Sequence, residues 1–411
     1  MSKIVLFENK EDCCGCEACV NACPKQAIQM QEDEYGFRYP VIDEEHCVEC
    51  GKCQTVCAYK TVEETNAPLD TYVACTLNTD IMKSASGGIF ASLATSFLEQ
   101  GGVVYGVSME CMEGQPVPVH ICVEKPEDII KLQGSKYVQS LVGDCYGRIK
   151  RQLGEGKKVL FSGTPCQVAG LKEFLGRPKD ENLLLVDIIC HGVPSVQFFQ
   201  SYIRELSKKI KGTITDFKFR DKATGWGLVG KAEYVTEKGK KKYKTIYARE
   251  SSYYQFFLKG DIYRENCYKC KYASAHRPGD ITLGDYWGIE KEHPEYLTAN
   301  GGCYDETKGV SCVIVNTAKG KNYMDSLPDT MLRKESTYEK AAKQNGQLRH
   351  PTQQSPRREL LLKMYANDGY KAVDAWFVKK NRMKLAIAFV VDRMPVSLKK
   401  KMRRMLKGII K

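Results

Sequence analysis

The chain has 411 residues, 43% hydrophobic and 27% charged, with 19 cysteines. That length suits two or three domains with large buried cores, and the absence of any apolar run of about 18 residues excludes a membrane-spanning helix. The formal net charge of +12 belongs to one end. Residues 379 to 411 hold twelve Lys and Arg against one acid, Asp392, which leaves 50 basic and 49 acidic groups in the rest.

The N-terminal segment predicts the chemistry. Eight cysteines form two copies of C-x2-C-x2-C-x3-C: Cys13, Cys16, Cys19 and Cys23, then Cys47, Cys50, Cys53 and Cys57. A ferredoxin holding two 4Fe-4S clusters uses this ligand pattern, with the fourth cysteine of each run serving the other cluster. The expected sets are therefore Cys13, Cys16, Cys19 and Cys57 for the first cluster, and Cys47, Cys50, Cys53 and Cys23 for the second. Zinc sites use cysteine pairs instead. Pro24 follows the first run as the pattern expects, whereas Ala58 follows the second. Cys14 reads as a bystander thiol. Ligand thiols need a reducing compartment, and Met1 to Lys10 show no signal-peptide pattern, so a cytoplasmic protein is expected.

Beyond this module, predicted over residues 1–60, a polar linker spans 61–70. An α/β unit follows over 71–330, with strands at 72–77, 103–107, 158–162 and 183–189 and a helix at 87–100. Strands at 213–220, 230–235 and 242–248 look antiparallel, with Lys238 to Lys240 in a turn. Further strands are expected at 281–283 and 310–315. Residues 331–378 read as a helical extension and 379–411 as a basic amphipathic tail. The fold class is thus mixed and multidomain (α+β and α/β): a ferredoxin-like module, a central α/β domain with a mixed sheet, and C-terminal helices.

Four blocks of the central unit carry candidate chemistry. Ser86, Gly87 and Gly88 precede a helix start, which suits either anion binding by backbone N–H groups or a plain helix cap. Lys136 lies in a turn and can meet a phosphate or only solvent. Thr164-Pro165-Cys166-Gln167 opens a helix after a strand, with proline where a first turn welcomes it. Asp187 to Pro194 contains Cys190 and His191. Cys166 and Cys190 both follow buried strands, and Cys267-x-x-Cys270 adds a pair. Four thiolates from three places suit a third 4Fe-4S cluster; unconnected cysteines plus a redox pair are the alternative.

The blocks SGGIF, GSKYVQS, FSGTPCQVAGL, CHGVPS, FKFRDKATGWG and CYKCKYASAHRPGDITLGDYWGI occur in this order between about Asp70 and Asn316. They resemble the beta-subunit family of coenzyme F420 hydrogenases and dehydrogenases, in particular its bacterial branch found with surface-polysaccharide genes. The resemblance implies an iron–sulfur flavoprotein oxidoreductase, with FAD rather than FMN, and an organic substrate or deazaflavin. It places the third cluster on Cys166, Cys190, Cys267 and Cys270. It places flavin contacts on Ser86, Gly87, Gly88, Lys136, Thr164 and Gln167. A ferredoxin-type donor or acceptor would then feed the flavin through the clusters. The alternative is an electron-transfer subunit that serves a separate catalytic chain and has no organic substrate of its own.

His191 and Asp285 are the candidate proton-handling residues; a strand-end hydrogen bond and packing beside Trp287 explain them equally well. Arg220, Asp221 and Trp226 are candidates for the same pocket. The other histidines read as ordinary, and Cys75, Cys111, Cys122, Cys145, Cys303 and Cys312 as apolar packing. In the tail, Leu398, Met402, Met405, Leu406, Ile409 and Ile410 fall mostly at helical steps among lysines and arginines. That pattern suits an anionic membrane surface on the cytoplasmic side. It lacks the interleaved aromatics of a nucleic-acid binder.

Overall fold

A computed structural model describes residues 4–61, 65–178, 180–327 and 330–394. The tail helix expected over 396–410 lies outside the described residues. The N-terminal module folds as α1 (Ala18–Ala22), the antiparallel pair β1 (Ile28–Glu32) and β2 (Arg38–Ile42), and α2 (Lys52–Thr55). The central unit begins with β3 (Asp70–Thr76), α3 (Ile89–Glu99), the hairpin β4 (Val103–Met112) and β5 (Gln115–Val123), and α4 (Ile129–Leu132). It continues through α5 (Cys145–Gly154), β6 (Val159–Gly163), α6 (Pro165–Phe174), β7 (Leu183–Ile188) and α7 (Val196–Ile210). A separate antiparallel sheet follows, of β8 (Gly212–Lys218), β9 (Val229–Thr236) and β10 (Lys241–Tyr247), then α8 (Ser252–Leu258). The chain closes with β11 (Ile281–Asp285), α9 (Ile289–Glu292), β12 (Ser311–Val315), α10 (Ala318–Asp325), β13 (Met331–Ser336), α11 (Tyr338–Gln344) and α12 (Arg358–Arg393).

The main sheet has eight strands in the order β13-β3-β12-β11-β7-β6-β4-β5. Its centre, β4, β6, β7 and β11, is parallel, and the flanking pairs are antiparallel. Helices cover both faces of the central strands, so β6 and β7 read as continuous apolar runs instead of alternating ones. On one face Leu93 and Phe97 of α3 meet Leu160 and Val186. On the other, Val168 and Leu171 of α6 meet Phe161 and Leu185.

Local chemistry sets the helix starts. The Ser195 hydroxyl accepts from the Phe198 N–H at 3.2 Å and caps α7. Gly88, at φ +84°, makes the left-handed step into α3, so that helix begins at Ile89 and not at Gly87. Two strands depart from the sequence expectation. β5 has no counterpart there, and Met331–Ser336 forms the edge strand β13 although 331–378 read as helical. Tertiary pairing with β3 over Thr71 to Thr76 decides the latter, since an edge strand needs only one partner.

The second core is aromatic. Phe198, Phe199 and Tyr202 of α7 pack with Phe217 and Phe219 at the end of β8 and Tyr253 of α8. The helix α12 spans this core and the N-terminal module. Tyr370 and Val373 join the aromatic core, while Leu362 packs on Phe37 and Tyr39. The backbone leaves helical geometry at Gly369 and Asn381 within α12. Near the carboxyl end of β7, Asp187 is 0% exposed and its partner Arg277 1%. Arg277 Nη2 donates to Asp187 Oδ1 at 2.7 Å, and the Thr282 hydroxyl and Gly279 N–H complete the carboxylate's bonds.

Breaking this pair should be severe, because the carboxylate would stay buried without its cation. Arg277→Met is expected to lower stability by roughly 3–5 kcal/mol. The Asp187→Leu/Arg277→Met double variant should cost less than Arg277→Met alone, by circular-dichroism unfolding in denaturant.

Candidate functional site

The eight N-terminal cysteines surround two cavities. Cys13, Cys16, Cys19 and Cys57 line one, together with Cys53. Cys23, Cys47, Cys50 and Cys53 line the other. The electrostatic neighbours agree with a crossover. Cys57 interacts with Cys16 and Cys19, and Cys53 with Cys23 and Cys47. Left-handed turns at Gly15 (φ +67°), Glu17 (φ 63°) and Gly51 (φ 72°) curl the loops so that thiols two and three residues apart face one volume. Burial pushes the thiols of Cys13, Cys19 and Cys57 up. Metal loading must therefore displace protons.

A third thiol set stands at the carboxyl ends of the central strands. Cys166 is the second residue of α6, after β6; Cys190 follows β7; Cys267 and Cys270 belong to a short 3-10 turn, Glu265–Lys269, and its cap. Each of these four thiols interacts electrostatically with the other three. Thr164 caps α6 reciprocally with Gln167, which orients Cys166, and the Thr164 hydroxyl lies 3.2 Å from Cys166 Sγ. Among the described residues, no three His, Cys, Asp or Glu side chains close tightly enough to hold a single ion.

Beside the third set lies a cleft of about 390 Å³, within the range of small-molecule sites. Cys190 lines it, as do Ser86, Gly88, Lys136, Thr164, Gln167, His191 and Asp285. It occupies the crevice outside the carboxyl ends of parallel strands, where open α/β sheets bind ligands. Gly87 faces elsewhere: its N–H donates to the Ser311 hydroxyl at 2.9 Å, and a Cβ there would sit 2.5 Å from the Ala74 carbonyl. Lys136 turns its ammonium onto the carbonyls of Leu132 and Gln133, at 3.1 and 2.9 Å, closing the end of α4. Burial brings its pKa down to about 7.

Asp285 is not a free acid. Arg220 donates to its carboxylate at 2.9 and 3.4 Å, and Trp226 Nε1 donates at 2.9 Å. Trp226 stacks on Trp287 at 4.8 Å, and the Arg220 guanidinium also donates to the Tyr137 hydroxyl. This network fixes one end of the cleft. Asp221 instead caps its own turn by accepting from the Ala223 N–H. Desolvation holds His191 below the usual imidazole pKa, so its ring is neutral near pH 7. Cys111 and Cys303 are exposed, against the expectation of apolar packing; Cys75, Cys145 and Cys312 are buried.

Two residues escaped sequence reasoning. Arg264 is fully buried and reaches the first loop. Its Nε donates to the Cys13 carbonyl at 2.8 Å, and Nη2 lies 3.7 Å from Cys13 Sγ. The only signal was a basic residue three positions before Cys267. Cys14, expected to be a bystander, is buried, with Cys16 and Cys166 as electrostatic neighbours of its thiol. The neighbouring Cys14 thiol lowers the Cys166 thiol to about 7 against the opposing effect of burial.

Three family profiles match the chain. The profile for the C terminus of the coenzyme F420 hydrogenase/dehydrogenase beta subunit covers residues 156–340, and the profile for the N terminus of the same protein covers 71–144. A 4Fe-4S dicluster domain covers 12–61. Ketoisovalerate oxidoreductase subunit VorC of Methanothermobacter marburgensis is 34% identical over 59 residues, which are 14% of this chain and 75% of that protein. Among solved structures, a chain of the F420-reducing NiFe hydrogenase complex from Methanosarcina barkeri aligns with 79% of this chain and 96% of its own length. It does so at 16% identity and a TM-score of 0.38.

The seating of the first cysteine loop depends on Gly170 of α6. A Cβ at that position would lie 2.8 Å from Cys16 Sγ. Gly170→Val should cost about 1–3 kcal/mol through overpacking and displace Cys16. Iron analysis after anaerobic reconstitution should show lower loading than wild type.

Proposed function

The chain belongs to the coenzyme F420 hydrogenase/dehydrogenase beta-subunit family and carries a 4Fe-4S dicluster domain, and from that premise we propose that it is an iron–sulfur electron-transfer subunit of a larger oxidoreductase. Single electrons would pass between a partner chain at the N-terminal module and a centre at the cleft. One observation carries this reading: three thiol sets stand in series, from the exposed Cys50 to Cys190 in the cleft wall. The first two sets would hold the dicluster-domain clusters and the third a further cubane. Iron–sulfur clusters supply one-electron chemistry; the protein supplies spacing, burial and hydrogen bonds to the sulfurs.

The test for the third cubane is compositional. Fully loaded protein should contain about twelve irons, and the Cys267→Ser/Cys270→Ser variant about eight, with the N-terminal pair kept. Equal iron in both would remove the third site.

A second reading keeps the redox centre within this chain: the cleft holds a flavin, FAD in preference to FMN, and works on an organic substrate or deazaflavin. The cleft volume and its lining by Ser86, Gly88, Thr164 and Gln167 favour it. His191 would then be a neutral hydrogen-bonding group, and Arg220 would hold Asp285 as the fixed end of the pocket. Anaerobic purification of the chain alone separates the two readings. Turnover of a small molecule by the isolated, flavin-loaded chain favours the second; reduction of a co-purifying protein without such turnover favours the first. Lys136→Ala is expected to weaken flavin retention by opening the turn after α4.

The membrane partner is also proposed. Among the described residues no helix is long and apolar enough to cross a bilayer. Yet Met383, Ile387 and Val390 are 82%, 64% and 55% exposed at helical steps on α12, next to Lys379, Lys380, Arg382 and Lys384. An apolar stripe beside lysines and arginines suits an anionic lipid surface. Met383→Glu/Ile387→Glu/Val390→Glu should shift the protein to the supernatant when sedimented with phosphatidylserine vesicles in low salt. An unchanged distribution would refute the membrane role.

A further inference from the structure

Arg264 carries a positive charge into the contact between the N-terminal module and the central unit. The residue has no exposed surface, and a guanidinium keeps its proton at any ordinary pH. Its Nε donates to the Cys13 carbonyl at 2.8 Å, and Nη1 to the Arg38 carbonyl at 2.9 Å and to Gln139 Oε1 at 3.3 Å. The Tyr39 ring covers it, with the ring centre 4.0 Å from Cζ. The remaining arm, Nη2, donates toward Cys13 Sγ at 3.7 Å. The first cysteine loop leaves room for this approach. Gly15 turns left-handed at φ +67°, and a Cβ there would lie 3.0 Å from Arg264 Cζ and Nη1.

None of the oxygens that accept from Arg264 carries a formal charge. The acids on the adjoining loops are committed to other cations: Glu265 to Arg358, Glu17 to Arg38 and Glu11 to Lys269. A buried cation without a counter-charge is costly. The negative charge within its reach is that of Cys13 once the thiol ligates metal. Four thiolates outweigh the charge of a cubane core, so a loaded site is anionic, and an added electron makes it more so. We propose that Arg264 is a positioning residue that acts through Cys13: its guanidinium is the built-in counter-charge of the first cluster and raises that cluster's potential. The proposal rests on the reading that Cys13 ligates a cluster in the first set. Hydrogen bonds to the sulfurs and net charge set cluster potentials. A fixed cation favours the reduced, more negative state and so raises the potential. Among the described residues, Arg264 donates to no thiol of the second set, whose potential should therefore move less. Losing the charge should change the first cluster's reduced-to-oxidised ratio at fixed potential by about tenfold, which for one electron corresponds to about 59 mV.

The experiment is an anaerobic redox titration of the full-length, iron-loaded chain, followed by electron paramagnetic resonance. The first signal is identified as the one lost in Cys13→Ser. Wild type, Arg264→Gln and Arg264→Lys are compared at equal iron content. The expected result is a negative shift of the first signal in Arg264→Gln that exceeds any shift of the second. Arg264→Lys, which keeps the charge, should lie closer to wild type than to Arg264→Gln. An unmoved first signal in Arg264→Gln, or equal shifts of both signals, would overturn the proposal. So would an Arg264→Lys potential as low as that of Arg264→Gln, since lost packing and not lost charge would then be the cause. If Arg264→Gln loads too little iron to titrate, pulsed resonance on protein labelled with heavy nitrogen in its guanidinium groups decides. A labelled-nitrogen coupling on the first signal of wild type, absent from Arg264→Lys, supports the proposal; no coupling in wild type, or its persistence in Arg264→Lys, overturns it. Failure of the underlying reading looks different: Cys13→Ser would then keep the iron content and every signal of wild type.

Discussion

The structure depends on one buried cation. Arg264 stands at the contact between the N-terminal module and the central unit, with no exposed surface. Its guanidinium donates to the Cys13 carbonyl, the Arg38 carbonyl and Gln139, and lies 4.0 Å from the Tyr39 ring centre. Its own carbonyl accepts from the Cys267 N–H. Burying a lone guanidinium would be costly, but here almost every neighbour is an acceptor or a ring face. The thiol-bearing loops add negative charge when they ligate metal. One residue thereby ties the first cysteine loop to the turn that carries Cys267.

That tie explains why the N-terminal module does not behave as an appended bead. Ala18 of α1 enters the core formed by Tyr146, Val168 and Leu171. Asn266 donates to the Glu11 carbonyl and accepts from the Tyr59 hydroxyl, so the turn around Cys267 is bonded to both ends of the first thiol set. Electron exchange falls off with separation, and these contacts hold the sets at fixed spacing. The cleft completes the series because Cys190 belongs to the third set and to the cleft wall at once. Parallel strands β6 and β7 place Cys166 and Cys190 side by side at their carboxyl ends, the position from which α/β sheets present ligands.

The cleft's chemistry is restrained by its own hydrogen bonds. Asp285 is committed to Arg220 and Trp226, and Lys136 to the end of α4. Neither is a loose charge awaiting substrate. Such fully engaged polar groups rigidify a site and fix its shape. That favours a pocket that positions a bound group over one that supplies acid–base catalysis from these residues.

The dicluster pattern was legible in the residues alone, since cluster ligation demands fixed cysteine spacing within short loops. So were the central strands, whose apolar runs follow from being covered on both faces. Motif order along the chain was enough to place the family. Other features exist only in the folded chain: Cys57 crosses to the first cavity in space, β13 pairs as a strand, and Gly87 packs on Ser311 instead of facing the cleft. Cys14 and Arg264 were invisible for the same reason. Their partners lie 152 positions away, at Cys166 from Cys14, and 251 positions away, at Cys13 from Arg264. Local spacing reports what a loop can wrap around, whereas a contact across hundreds of residues exists only once the sheet has set where each loop ends.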